Sequence, residues 1–437
     1  MLVAVYLAGV FVLQRLDRVS GVTEGAPRPA LLLAANPGTG NLPTDHSVAG
    51  ALHVHTEYSN DAVGSVAELA AAALSTDLDY VIVSDHQSND DPDSIPRPVY
   101  QDDVLLLFSQ ERGLDREIGR VLVEGVDTVL FLGDTTDKLR EVAARPGVLA
   151  IISHPRSTSE VESWKTAHAG GAHAWEVFNL DDVFARRMTS AETVAHGVGI
   201  LTSHALRKGE RSLLRLYRNG FDEPGAPAFD SVYALGPITA LAALDAHPKV
   251  RRFGRLWPSY RTPMATLVNH VLLDGPLPSD AGPAAASVKD GIKGGRVFIS
   301  FGDTQAASTF RMYVTDSGAR VAGIGDETLL TPSRGELALS ASFEGSLDAS
   351  FNTSQMGPAG DPGDRLLYRV FRDGQTIGWS RGRVLNWPID QPGIYRVEVY
   401  RFGSGIGPFY WNMRPWIFTN PVRVLPSVAG SEASSTS

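Results

Sequence analysis

Cysteine is absent from all 437 residues. Its absence excludes a disulfide scaffold, a zinc finger, a thiolate-held iron–sulfur cluster and a thiol nucleophile. It leaves the compartment open, because a cysteine-free chain suits either redox environment. Positive charge is also scarce. Lys and Arg total 39 against 49 Asp and Glu, a net charge of −10, so a general nucleic-acid-binding surface is not expected. The sequence has no Gly-x-Ser-x-Gly elbow, no P-loop and no Gly-x-Gly-x-x-Gly following a strand, so serine-hydrolase and nucleotide-fold readings lack support. Any metal must be held by His, Asp and Glu. What is present is a packable chain, 43% hydrophobic and 20% charged, which excludes wholesale disorder. Its length predicts two or three domains, or one large barrel and a smaller module.

The ends differ from the body. Residues 1–20 open on the apolar run Met1–Leu13 and continue to Gln14, Arg15, Asp17 and Arg18. The run is shorter than the ~20 residues a membrane helix needs, and it lacks the basic start of a secretory signal. Three readings stay open: the tail of a membrane segment, an atypical export signal, or a helix packed on the body. The balance favours an exported or membrane-associated protein over a cytoplasmic one. Residues 21–47 are rich in Gly, Pro, Ala and Asn and read as a linker. Residues 426–437, rich in Ser, read as a disordered tail.

Between about 50 and 300, short apolar runs recur, and most stop at a polar residue able to bind metal. Ala51-Leu52-His53-Val54-His55 is the first. Tyr80–Ser84 runs into Asp85-His86, Val104–Phe108 into Ser109-Gln110-Glu111, and Gly147–Ser153 into His154-Pro155. Trp175–Phe178 runs into Asn179, Val198–Ser203 into His204, and Ile238–Leu244 into Asp245-Ala246-His247. Such runs suit parallel strands buried on both faces. Helical segments at Val66–Leu74 and Asp137–Ala143 alternate with them, which predicts a parallel α/β architecture. In a β/α barrel the ligands gather at the C-terminal ends of the strands, where the His and acidic residues fall.

His53 and His55 are two apart on a predicted strand, so both imidazoles point to one face. Imidazole with carboxylate suits Zn, Mn or Fe. A His-x-His pair alone is weak. Asp85-His86, His154-Pro155 and Asp245-Ala246-His247, each at its own strand end, convert it into a constellation. Without a metal, these residues would place polar groups at buried strand ends at a cost.

In order, His53-Val54-His55-Thr56, Ser59-Asn60-Asp61, Ser84-Asp85-His86, Ser153-His154-Pro155 and Asp245-Ala246-His247 resemble the motifs of the PHP (polymerase and histidinol phosphatase) superfamily. The resemblance covers residues 48–302. It implies an α/β fold, a distorted TIM-like (β/α)7 barrel holding two or three divalent metal ions (Zn, Mn or Fe). It implies a metal-dependent phosphoesterase acting on a small-molecule ester, a phosphomonoester or small phosphodiester, through a metal-bridged hydroxide. Carried over by motif, His53, His55 and Asp245 would hold the first metal, and Glu111 would bridge to a second bound by His154. Asp61, His86 and His247 would hold a third, with Asp61 where many relatives carry His. Glu176, Asn179 and His204 are the candidates to complete the second metal, His204 foremost. Glu124 competes with Glu111 for the bridging role. Asp85 is either a ligand or a partner orienting one. Catalysis would fall to Glu111, His154 and Asp245, with Arg156 binding the substrate phosphate. Arg207 and Lys208 read as a solvated helix face. His46, His168, His173, His196 and His270 read as surface or satisfied core residues.

Residues 303–425 change texture. Thr309–Val314, Glu336–Phe343, Leu367–Arg372 and Gly393–Tyr400 alternate polar and apolar between turn residues. They predict an all-β, sandwich-like C-terminal domain with a hairpin turn at Asp373-Gly374. Its aromatic residues Trp387, Tyr410, Trp411 and Trp416 read as core and interface rather than a sugar platform. Asp274–Ser300 and Arg414–Pro421 resemble the carbaryl-hydrolase-like branch of the superfamily, which admits a carbamate or carboxyl-ester substrate on the same metals. A non-catalytic, metal-stabilised binding protein is the third reading. The near-complete ligand set argues against it.

Overall fold

The computed structural model describes residues 46–86, 96–114, 119–125, 135–155, 170–182, 233, 237–252, 254–302, 304–316, 319–330, 337–343, 366–381, 384–406 and 409–426. The N-terminal apolar segment, most of the linker, Arg156, His204, Arg207, Lys208 and the Ser-rich tail lie outside these residues. Strand β1 begins at His46. Among the described residues no helix is long and apolar enough to cross a membrane.

The first part of the chain contains β1 (His46–Val54), α1 (Val66–Leu74), β2 (Tyr80–Val83), β3 (Val99–Gln101), β4 (Val104–Gly113) and β5 (Arg120–Glu124). It continues with α2 (Thr136–Ala143), β6 (Leu149–Ser153), β7 (Ala174–Asn179), β8 (Thr239–Ala243), β9 (Val250–Arg252) and β10 (Arg255–Trp257). It ends with α3 (Arg261–Met264), β11 (Val268–Leu273), α4 (Ala281–Lys293) and β12 (Val297–Ser300). The apolar runs that fall within the described residues are buried strands, the run Val198–Ser203 lying outside them: every residue from Val104 to Leu107 is inaccessible, as a strand covered on both faces requires. Helix α1 starts on a capping box in which Ser65 and Glu68 satisfy each other's backbone N–H groups, two donors that would otherwise be orphaned.

The strands form one mixed sheet in the order β12-β11-β1-β2-β4-β5-β6-β7-β8. Pairs β1–β2, β2–β4, β6–β7 and β7–β8 are parallel. Pairs β4–β5 and β5–β6 are antiparallel. Uniform β/α alternation is therefore not what the described residues show. Only residues 114–119 separate β4 from β5, too few for a parallel crossover, which needs about a dozen. The chain reverses there instead. At the far side, the end of β8 returns to β1: Leu244 N donates to Leu52 O, His55 N to Ala246 O, and Ala246 N to His53 O.

Two asparagine side chains hold the other edge of β8. Asn269 accepts from Ala242 N and donates to Ala242 O at 2.9 and 2.7 Å. Asn420 does the same to Ala240 at 2.8 and 2.9 Å and also donates to Val297 O. A primary amide has the same donor and acceptor as a peptide group, so each asparagine substitutes for one residue of a missing neighbouring strand.

The later part adds α5 (Thr304–Ala307), β13 (Phe310–Asp316), β14 (Ala319–Gly323), β15 (Glu327–Leu330), β16 (Leu337–Phe343) and β17 (Leu366–Arg372). It closes with β18 (Gln375–Arg381), β19 (Val384–Ile389), β20 (Gly393–Ile406), β21 (Phe409–Thr419) and β22 (Val422–Pro426). Strands β14-β13-β16-β19 form a separate antiparallel sheet, while β21 pairs with β12 and extends the large sheet through β20, β22 and β15. The core between them joins Phe310, Met312 and Val314 to Tyr368, Val397, Trp416 and Val422. Asp373 and Gly374 both have positive φ, 50° and 77°, as the two-residue hairpin between β17 and β18 demands. The register of Phe298–Ser300 against Ile417–Thr419 joins this mostly β part to the first through continuous backbone hydrogen bonds.

Candidate metal centre

The metal-binding residue types converge at one end of the strands. His53 and His55 leave β1, Asp85 and His86 follow β2, and Glu111 lies near the end of β4. His154 follows β6, and Asp245 and His247 follow β8. Three of them, His53, His154 and Asp245, carry positive φ (65°, 48° and 47°). This conformation is costly for a residue with a Cβ and persists where the surroundings impose it. At His53 it coincides with an irregularity in the β1–β2 register. The two imidazoles thus reach a common point through a bulge rather than through regular alternation, and their rings lie 5.2 Å apart.

Asp245 Oδ1 is 3.2 Å from both His53 Nε2 and His55 Nε2. Glu111 sits between several imidazoles. Its Oε2 is 3.4 Å from His53 Nε2, 3.6 Å from His55 Nε2 and 3.3 Å from His86 Nδ1, while its Oε1 is 3.4 Å from His154 Nε2. His154 Nε2 is also 3.4 Å from Asp245 Oδ2. Asp61 Oδ2 approaches His247 Nε2 at 2.9 Å and His86 Nε2 at 3.7 Å. Three overlapping groups result: His53, His55 and Asp245; His53, Glu111 and His154; and His55, Asp61, His86 and His247. The donor atoms within each lie within 4.8 Å of one another.

His53 Nε2, His55 Nε2, Glu111 Oε2, Asp245 Oδ1 and His247 Nε2 are buried without a hydrogen bond of good geometry. Buried polar atoms are normally satisfied, and leaving one unpaired costs on the order of 1–3 kcal/mol. Five at one point, all imidazole or carboxylate, fit a site built for divalent cations.

The electrostatics agree. Burial alone would lower the pKa of His53, but the carboxylates of Glu176, Asp245 and Glu111 raise it well above the usual value. Burial is likewise overridden at His154, which Asp182, Glu111 and Asp245 push up to about 12. His55 falls to about 4 through burial and the neighbouring His247 and His53. Despite burial, nearby imidazoles hold Glu111 and Asp245 well below the usual carboxylate range. Metal ligation requires neutral imidazole, so cations entering this site exchange with those protons.

Asp85 does not join the three groups. Its oxygens accept from Thr56 N and Thr56 Oγ1 at 2.6 and 2.7 Å, fixing the turn that follows His55. Burial raises its pKa against those two hydrogen bonds. Glu124 and Glu111 are separated by strand direction. Because β5 runs antiparallel to β4, Glu124 pairs with Ser109 and Leu149 at the opposite end, where it meets Lys289 Nζ at 2.7 Å. The same reversal brings Arg120 to the cluster, its Nη1 donating to Glu111 Oε1 at 3.1 Å. Arg120 had no signal in the sequence, because its position depends on a strand reversal.

Glu176 and Asn179 are both buried beside the cluster with their side chains committed to hydrogen bonds. Asn179 Oδ1 caps the backbone N–H groups of Asp181 and Asp182 at 3.0 and 3.2 Å. Asp182 Oδ1, also unanticipated, stands 3.4 Å from His154 Nδ1. His270 is a satisfied core histidine. It is stacked on Phe298 at 4.5 Å and bonded to Ser300 Oγ at 2.9 Å. His173 accepts from Ala150 N at 3.1 Å.

No family model matches this sequence, and no curated protein matches it. Among solved structures, a two-domain protein containing a predicted PHP-like metal-dependent phosphoesterase from Bacteroides vulgatus ATCC 8482 aligns over 90% of this chain and 99% of its own. The identity is 11% and the TM-score 0.36. At that level of likeness, the functional reading rests on the geometry of the site itself.

Proposed function

We propose that this chain is a metal-dependent hydrolase of the PHP type that cleaves a phosphoester, its strand ring a distorted (β/α)7 barrel. The observation that carries the proposal is the convergence of five buried imidazole and carboxylate atoms without a hydrogen bond of good geometry, from His53, His55, Glu111, Asp245 and His247. His53, His55 and Asp245 would hold one ion, Glu111 and His154 a second, and Asp61, His86 and His247 a third. Divalent ions held there supply Lewis-acid stabilisation of charge on the ester oxygens and a water acidic enough to act as nucleophile near neutral pH.

The chain's own side chains set the rest. Glu111 is the carboxylate with both oxygens directed at imidazoles of different groups, which suits a bridging position. Asp85 holds the backbone of Thr56 and so the direction of His55. Arg120, partly exposed beside Glu111 and opposite Ser153 in register, keeps a permanent cation next to His154. Such a cation favours an anionic ester over a neutral one, because a guanidinium matches phosphate oxygens in charge and geometry. That favours phosphate over the carbamate or carboxyl-ester alternative.

The test is elemental analysis of purified protein alongside hydrolysis of p-nitrophenyl phosphate, its bis-ester and p-nitrophenyl acetate, each with and without chelator. Two or three metals per chain and chelator-sensitive turnover of a phosphate ester are expected. Folded protein without metal would sink the proposal. Preference for the acetate would transfer it to carboxyl esters.

A further inference from the structure

Glu176 is 1% exposed and lies within β7, with both carboxylate oxygens engaged. Oε1 is 2.7 Å from His53 Nδ1. Oε2 accepts from the backbone N–H of His154 at 3.1 Å and from Asn179 Nδ2 at 3.1 Å. The two residues it grips are both in the left-handed conformation, and both present Nε2 to the cluster from strands on different sides of it. Glu176 touches His53 on Nδ1, the ring nitrogen facing away from Asp245 and Glu111. A carboxylate can only accept, so this contact keeps the proton on Nδ1 and leaves the Nε2 lone pair facing the cluster. On the second oxygen, the N–H of His154 finds the acceptor that its strained turn would otherwise leave buried and unpaired.

We infer that Glu176 is the positioning residue of the metal centre: one buried carboxylate that sets the tautomer of His53 and secures the backbone of His154, so that two ligands from separate strands arrive preoriented. This inference rests on the metal-dependent reading above. It assigns Glu176 a role outside the ligand set, since both its oxygens are engaged by N–H donors. Removing such a supporting partner lowers metal affinity about 10- to 100-fold.

The test is Co(II) titration of metal-free protein, comparing wild type, Glu176→Gln and Glu124→Gln. The two variants delete the same charge from buried positions at opposite ends of the strands. Glu176→Gln is expected to weaken Co(II) binding by about 10- to 100-fold and to alter the visible Co(II) spectrum. Glu124→Gln is expected to keep wild-type affinity and spectrum. Wild-type affinity and spectrum in Glu176→Gln would overturn the inference, as would equal weakening in both variants. If Glu176→Gln does not fold, the nitrogen resonances of His53 in Zn-loaded, histidine-labelled wild type decide the matter. Zinc on Nε2 with a protonated Nδ1 is expected, and zinc on Nδ1 would overturn the inference. Wild type that binds neither Co(II) nor Zn(II) would instead sink the metal-dependent reading beneath it.

Discussion

The two ends of the strand ring treat buried charge in opposite ways. At one end, Glu124 and Lys289 form a single ion pair: the ammonium lies 2.7 Å from Glu124 Oε2, one oxygen that also lacks a hydrogen bond of good geometry, and donates to Gly147 O at 2.8 Å. Burial still raises the pKa of Glu124 against the pull of Lys289. At the other end, imidazoles and carboxylates crowd together, with five buried polar atoms lacking a hydrogen bond of good geometry and three buried residues, His53, His154 and Asp245, in the left-handed region, whereas the left-handed residues Asp77, Asp102 and Asp103 at the opposite end are half-buried or exposed turn residues. Both ends are polar and buried, so burial alone does not mark function. The mark is uncompensated cost, meaning unpaired atoms and backbone strain gathered where no local benefit to stability explains them.

The strongest way to break this comparison is at Asp245. Asp245→Asn should reduce chelator-sensitive hydrolysis by at least ~100-fold, since it affects a ligand directly where a supporting contact already costs 10- to 100-fold. The same variant should also lower the stability of the metal-free protein near neutral pH in urea unfolding, because it takes away the carboxylate that the imidazoles of His53, His55, His154 and His247 hold ionised. Unchanged chelator-sensitive hydrolysis in Asp245→Asn would contradict the contrast between the ends. Lys289→Met should act on stability alone. It strands Glu124 and should cost about 3–5 kcal/mol of stability, while the folded fraction keeps its metal affinity. The double variant Glu124→Gln, Lys289→Met should recover most of that loss, which a double-mutant cycle measures.

Asn420→Ala sharpens the comparison from the mostly β side. It removes the amide that bridges Ala240 and Val297 and should cost about 1–3 kcal/mol, read as a lower urea midpoint at unchanged slope. The smallest effect is a pH slope at His270. Burial, then the charge of Arg311, lowers its pKa from 6.5 to about 3, so the folded state keeps this ring neutral while the unfolded state protonates it first. Its contribution is complete above about pH 6.5 and is lost as pH falls towards 3, by at most about 1.4 kcal/mol per pH unit. Unfolding of His270→Gln across that window should show a shallower acid dependence than wild type.

Much of the site was legible in linear order because strand ends repeat a pattern. An apolar run that stops at His, Asp or Glu places that residue at a rim, and among the described residues five such runs, ending at His55, His86, Glu111, His154 and Asp245, bring these residues into one neighbourhood. His86 and His247 were readable for the same reason, and Asp61 only from the resemblance of Ser59-Asn60-Asp61 to a family motif. The bulge at His53 was not, since a register shift leaves no composition signal. Neither was Arg120, which reached Glu111 only because β5 reverses, nor the contacts of Glu176, named from the sequence only as a candidate ligand, whose two oxygens serve residues 123 and 22 positions away in sequence. The C-terminal strands were readable from alternation, and the Asp373-Gly374 turn from its chemistry. Their fusion to the large sheet through β12 and β21 was not, because pairing between distant strands depends on edges that exist only after folding.

Composition and local pattern determined the building material: buried strands, a cysteine-free histidine and carboxylate donor set, and a mostly β C-terminal part. These follow from residue type and short-range periodicity, which act before the chain collapses. Tertiary structure decided which donors share a point, which carboxylate lies on the cluster and which on Lys289, and which buried groups remain unpaired. Those outcomes depend on strand direction and register across the whole chain, and no local stretch of sequence specifies either.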